Sequence, residues 1–406
     1  MTLAAVEDLV QGFMFGPYPD DPYPSYDALR DAAPVHRCEQ GLWLVASYET
    51  CTMVLRDPRF GQGVGATRLH NDDRFAESPA FRTLAHMLPF IDPPDHTRLR
   101  KLISRAFTPR AVERMRSYLS DYTDDLFAAV RAKRGGDLMA DVAHHVPVAV
   151  ICEMLGAPHD HHAELVEWSD DLVGAVHPMV SDEQLARADH GAAQFRAFAS
   201  ELIAARRAHP RDDLLTALVQ AEDGGDLLTA DELVSTVILF IGAGIENTKH
   251  YIGSCLQALL LDPVLAESLR TNSALLPAFA EEVLRLEPPV QVAVPRLALT
   301  DVAIGEIRIP KGASVCPVIP GANRDPAVFG DPARLDVGRD GPANLSLATG
   351  PHLCAGAALA RLEAHVTIER FLEHIPDAAL VSRDFAYRTE GRPSLRGLAA
   401  LPVTIA

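Results

Sequence analysis

Leu347-Ala348-Thr349-Gly350-Pro351-His352-Leu353-Cys354-Ala355-Gly356 holds a cysteine between glycines, immediately before an amphipathic stretch. A free thiol of pKa about 8.5 is only a few per cent ionised at neutral pH, and a helix N-terminus or a metal lowers that value sharply. Backbone amides from Leu353 to Gly356 can donate to the sulfur and tune it. The pattern alone admits a metal ligand, a nucleophile or simply a small core residue. Two further groupings carry charge. Glu282-Val283-Leu284-Arg285 puts a carboxylate and a guanidinium three apart on one helix face. On a surface such a pair contributes almost nothing, but the flanking Phe279, Ala280, Val283 and Leu284 predict partial burial, where an ion pair needs further partners. In Asp95-His96-Thr97-Arg98-Leu99-Arg100, His96 and Arg100 stand at i, i+4 and suit capture of an anion.

Two weaker patterns read as loops. Gly61-Gln62-Gly63-Val64-Gly65-Ala66 fits G-x-G-x-x-A, but it follows Asp57-Pro58-Arg59-Phe60 and runs into polar sequence. A dinucleotide fingerprint follows a strand and opens a helix. His159-Asp160-His161-His162 has metal-binding residue types yet sits in a polar turn after Gly156-Ala157-Pro158.

The elements that must position these groups are mostly helical. Pro17, Pro19, Pro22 and Pro24 punctuate the start, ahead of a short helical pattern around Tyr26 to Arg30. Leu42 to Ala46 reads as a buried strand, and Gly61 to Asp73 as a long loop. From about Arg98 to Ala280 apolar residues recur at helical spacing. After Pro288-Pro289 the texture changes: β-branched runs, Val290 to Val294 and Val302 to Ile309, alternate with Gly and Pro. Ala357 to Leu372 is one more helix, and Leu398 to Ile405 returns to short strands. The order predicts a mainly α protein with a smaller β region (α+β), not an alternating βαβ chain.

Composition narrows the function classes. Lys plus Arg is 37 against Asp plus Glu 55, and the net charge of −18 gives no overall pull toward nucleic acid or anionic membrane. The six cysteines form no C-x-x-C pair, which argues for a reducing compartment. The start lacks the basic flank and apolar run of a signal peptide. The longest uncharged apolar stretch, Leu233 to Ile245, is 13 residues, short of the roughly 20 that span a bilayer. The expectation is a soluble, cytoplasmic protein.

In order along the chain, these residues resemble the bacterial cytochromes P-450, the haem-thiolate monooxygenases. The likeness is carried by Cys354 with Gly350, His352 and Gly356, by the Glu282/Arg285 pair, and by Asn323-Arg324-Asp325-Pro326 with Phe329, Asp331-Pro332 and Arg334. Asp92-Pro93-Pro94 leading into Asp95 to Arg100, then Phe107-Thr108-Pro109-Arg110, and Ala243-Gly244-Ile245-Glu246 extend it. It runs from Asp21-Pro22-Tyr23-Pro24 to the last strands. The resemblance implies a single domain over 1–406, where length alone predicts two or three.

It also implies roles. Cys354 is the expected axial thiolate of haem b (iron protoporphyrin IX), a ligand whose electron density favours O–O cleavage. His96, Arg100, Arg296 and His352 match positions that hold the haem propionates. Glu282 and Arg285, with Arg334, match a structural ion-pair network. Ala243 and Gly244 lack bulk and leave room for dioxygen, Gly356 belongs to the cysteine loop, and Glu246 matches an acid that relays protons. Departures are Leu347 and Ala348, where Phe and Gly are usual, and Leu335, where Phe is common; all three read as packing changes. Asn247 stands where a proton-relaying threonine is usual, with Thr248 about 100° further round the helix.

The activity implied is insertion of one oxygen atom from dioxygen into a lipophilic small molecule, by hydroxylation or epoxidation, in bacterial natural-product metabolism. The alternatives are oxidative coupling of a phenolic or carrier-bound substrate without oxygen insertion, and a haem-binding protein without turnover, such as a sensor. Candidate pocket residues lie in the loop after Gly61 through Leu88 and Phe90, in Val173 to Val180, Ile241 to Ile245, Val290 to Val294, and at Ser394-Leu395. Electrons are expected from a ferredoxin and its reductase. The stretch from His96 to Arg116, with seven basic residues against Glu113, is the expected docking surface for an acidic donor.

Overall fold

Short polar side chains start many of the helices. Ser181 and Gln184 cap each other reciprocally at the start of Asp182–Ala208. Asp213, Thr108 and Asp262 each accept from the backbone three residues on, and the last two are followed by proline at the first helical position. The computed structural model describes residues 2–16, 18–62, 77–158, 161–175, 180–223, 225–388 and 394–406. Contacts group these into two compact units, each assembled from separate stretches of chain.

The first unit comprises Met1–Gly61, Leu119–His145 and Asn247–Ala406. Its five-stranded sheet centres on Ser314–Pro317, which pairs parallel with Trp43–Val45, itself antiparallel to the edge strand Val35–Arg37. Arg296–Ala298 continues the sheet from Ser314–Pro317 and ends on Phe60–Gly61, both antiparallel. Val45, Cys51, Val54, Leu55, Phe60, Val315 and Ile319 form its buried apolar cluster. Helices Leu276–Leu286 and Ala357–His374 belong to the same unit. A three-stranded sheet places Pro402–Ile405 between Ala378–Leu380 and Gly135–Asp137. The run Val290 to Val294 is not a strand. It makes only the isolated bridges Val290 to Leu395 and Val292 to Val318, because Pro289 and Pro295 bracket it without N–H donors.

The second unit, Gln62–Tyr118 with Val146–Glu246, is helical apart from the hairpin of Glu222–Asp223 with Asp226–Leu227 among the described residues. Phe60–Gly61 is a strand, so the glycine run does follow one; Gly63 to Ala66 lie outside the described residues. His159 and Asp160 lie outside them too. The 32-residue helix Ala230–Leu261 contributes to both units. Among the described residues no single helix is long and apolar enough to cross a membrane.

Candidate active site

The cysteine loop is tied down by backbone and amide bonds. Buried Asn323 receives the Leu345 amide on its side-chain oxygen (2.8 Å) and donates to Ser346 Oγ (2.8 Å), whose hydroxyl donates to the Leu284 carbonyl (2.7 Å). The Cys354 amide closes the loop on the Leu347 carbonyl at 2.9 Å. Gly350 has φ +74°, and a Cβ there would lie 2.9 Å from the Leu55 carbonyl oxygen, so this turn needs glycine twice over. Ala348 has φ +60°. Its departure from glycine is therefore a matter of backbone strain, not the packing change expected from sequence, because a left-handed residue with a Cβ costs about 1–2 kcal/mol.

Cys354 stands apart from the other five cysteines, all of which are buried. Burial pushes the thiols of Cys38, Cys51 and Cys255 up, Cys152 to about 11 and Cys316 to about 12. Such thiols are inert at neutral pH. Cys354 alone is partly exposed, with Gly356 at the start of Ala357–His374.

Behind the loop, Glu282 and Arg285 form the expected pair, bidentate at 2.8 and 2.7 Å and almost fully buried. Arg285 also donates to the carbonyls of Asn323 (2.9 Å), Pro332 (2.7 Å) and Arg334 (3.1 Å), and its guanidinium lies 5.2 Å from the Phe329 ring centre. Arg334 takes part through its backbone only; its side chain is exposed. The third ionic member is Arg339, whose Nε donates to Glu282 at 2.7 Å. The Asp336 amide adds a fourth donor to that carboxylate. In the same unit Arg296 is buried on its strand, and His352 is half-buried in the short helical turn Gly350–His352.

In the second unit His96 is buried and Arg100 half-buried on helix Asp95–Ala106, one turn apart as the spacing predicts. Arg98 between them pairs with Glu232 and donates to the Leu227 carbonyl at 3.3 Å. The middle of helix Ala230–Leu261 has two distinct sides. A Cβ at Gly244 would lie 2.9 Å from Ile151 Cδ1, and one at Gly242 3.3 Å from Ser169 Oγ, so both glycines admit neighbouring helices. Ala243 is exposed, in a helix otherwise largely buried. Ala243 therefore marks the open side of the helix, and Gly244 is a packing glycine: it is turned toward Ile151, about 100° away. Asn247, four residues on, shares the Ala243 side and is half-buried, whereas Thr248 follows Gly244 and is buried, as is Glu246.

Among the other pocket candidates, Leu88–Phe90 is a short helical turn, and the Gln291 amide donates to the Ser394 carbonyl at 2.9 Å. Gly63 to Ala76 and Val176 to Met179 are outside the described residues.

The cysteine-bearing unit carries donor types that suit a haem, a half-exposed thiol on a fixed loop together with Arg296 and His352, and in the second unit His96 and Arg100 are of the types that hold carboxylates. The fold and the cysteine loop suit a haem enzyme. The chain belongs to the cytochrome P450 family, whose model matches residues 35–375. It is 37% identical to cytochrome P450 107B1 of Saccharopolyspora erythraea over 99% of both chains. It is 37% identical to the cytochrome P450 monooxygenase PikC of Streptomyces venezuelae, over 94% of this chain and 91% of that one. Among solved structures, P450BioI in complex with a hexadecenoic acid-ligated acyl carrier protein superposes with TM-score 0.87 at 32% identity, over 95% of this chain and 99% of that one. The protein is a cytochrome P450 monooxygenase that uses a haem-iron cofactor, dioxygen and redox partners to insert oxygen into its substrate.

Proposed function

We propose that Cys354 is the axial ligand of haem b in a single domain spanning 1–406, and that the substrate is a lipophilic natural product, hydroxylated or epoxidised with electrons from a ferredoxin. The observation that carries the ligand assignment is the contrast among the cysteines: five are buried with raised pKa values, and the sixth is half-exposed on a loop braced by Asn323 and Gly350. Bound haem supplies the activation of dioxygen; the chain supplies position, charge and protons. His96, Arg100, Arg296 and His352 hold the propionates. Ala243 leaves the open side of its helix free of bulk. Glu246 delivers protons, and Asn247, on the Ala243 side, orients water for that transfer, since an amide has fixed donor and acceptor ends and no readily lost proton.

The exposed side chains of Lys101, Arg105 and Arg110 form the docking surface for an acidic ferredoxin. Arg98 and Arg114 are offset by Glu232 and Asp212 from distant segments, so the surface is less basic than the count along the sequence.

Cys354→Ser should abolish the thiolate absorption band of the reduced, carbon monoxide-bound form; a variant that keeps the band removes Cys354 as ligand. For proton delivery, Glu246→Gln should slow turnover by roughly 10²–10⁴ and far more than Thr248→Ala. If Thr248→Ala alone releases most electrons as peroxide while Glu246→Gln is harmless, Thr248 is the relay.

A further inference from the structure

Arg361 occupies the second turn of Ala357–His374, and helical side chains lean toward the N-terminus. That lean directs its side chain toward the turn that follows Cys354. The sulfur lies at the same end: a Cβ on Gly356 would be 3.9 Å from Sγ. Glu281, on helix Leu276–Leu286, fixes the guanidinium with two bonds, Nε to Oε1 at 2.6 Å and Nη2 to Oε2 at 3.2 Å. Asn344 Nδ2 donates to the Glu281 carbonyl at 3.3 Å and steadies that end. The hydrogen bonds to Glu281 hold Arg361 firmly charged against burial, and the Cys354 sulfur is among the negative groups that add to this. Neighbouring carboxylates thus divide their tasks. Glu282 is spent inside the buried network, while Glu281 turns to a cation, 41% exposed, beside the cysteine.

We propose that Arg361, oriented by Glu281, is a positioning residue that sets the reduction potential of the iron through the Cys354 thiolate. When ferric iron takes up one electron from a redox partner, the centre becomes one unit more negative. A cation beside the sulfur favours that reduced form. This rests on Cys354 being the ligand. Because the pair is partly solvated, its effect is moderate.

The test is the reduction potential of the haem-loaded protein, titrated with small mediators and no protein donor, for wild type, Arg361→Leu, Arg361→Lys and Glu281→Gln. Arg361→Leu should lower the reduced-to-oxidised ratio at fixed potential at least threefold, about 30 mV at 59 mV per tenfold for a one-electron couple. Arg361→Lys should restore most of this. Glu281→Gln should shift the potential upward, because it removes the negative charge and leaves the cation. A purely structural role gives no such opposition of sign. If Arg361→Leu loses haem, the Lys and Gln variants decide. Potentials that do not move, or a Glu281→Gln shift downward or absent, in proteins that keep the carbon monoxide thiolate band overturn the inference. A wild-type protein without that band overturns the ligand assignment instead.

Discussion

Two buried glutamates of the cysteine-bearing unit meet opposite fates. Glu282 lies among Arg285, Arg339 and the Asp336 amide; burial pushes its carboxyl up, but these bonds outweigh burial and hold it below its ordinary 4.5. Glu363, inside helix Ala357–His374, is 1% exposed, and its Oε2 meets no hydrogen-bond partner among the described residues. Burial alone drives its pKa well above the usual carboxylate range. Burial therefore does not decide what a carboxylate does. The partners that the fold brings to it decide whether it stays a charge or becomes a neutral acid.

Breaking the first site should have the largest effect. Arg285→Leu strips Glu282 of its bidentate partner and should cost about 3–5 kcal/mol, measured by denaturant unfolding of the haem-loaded protein. A lowered folded pKa contributes stability above the unfolded value and loses it as pH falls through the folded one, so the penalty should shrink below about pH 4.5. Glu363→Gln inverts the sign. Its raised pKa means that folding binds a proton the unfolded chain has lost at neutral pH. The wild type should therefore weaken as pH rises past about 4.5, and the variant should gain roughly 1–3 kcal/mol at pH 7. An equal gain at pH 5 and pH 8 would refute the ionisation argument. Ala348→Gly tests a fault without charge in the cysteine loop: relief of the left-handed alanine should raise stability by about 1 kcal/mol, read as an upward shift in Tm. The smallest effect belongs to Arg116→Ala, which removes an exposed pair with Glu113 and should stay within about 0.5 kcal/mol. A large loss there would show that exposure is a poor guide to the other sites.

Much of the candidate site is legible in the sequence. The glycine-flanked cysteine, the Glu282/Arg285 spacing and the His96/Arg100 turn are local patterns, and helices honour local spacing. What was not legible depends on distant chain. Arg339, not Arg334, supplies the second guanidinium to Glu282, because the backbone after Pro332 turns the Arg334 carbonyl inward and leaves its side chain outside. Arg361 and Glu281 are 80 residues apart, and no spacing rule joins them. Gly244 looked like space for a ligand, yet its role is set by Ile151, from a different helix. Ala348 left a trace that could have been followed: an alanine where a glycine is usual asks first about φ.

The three-stranded sheet has a consequence for the protein's birth. Gly135–Asp137 waits for Pro402–Ile405, and the Leu401 amide reaches Asp137 across 264 residues. At ribosomal speeds of about 5–20 residues per second, that partner arrives roughly ten seconds to a minute after the strand it completes. The half-finished edge must be shielded meanwhile, and the cysteine-bearing unit is sealed only after its cysteine loop has emerged. The cysteine loop is therefore already made, but not yet locked, while Pro402–Ile405 is awaited.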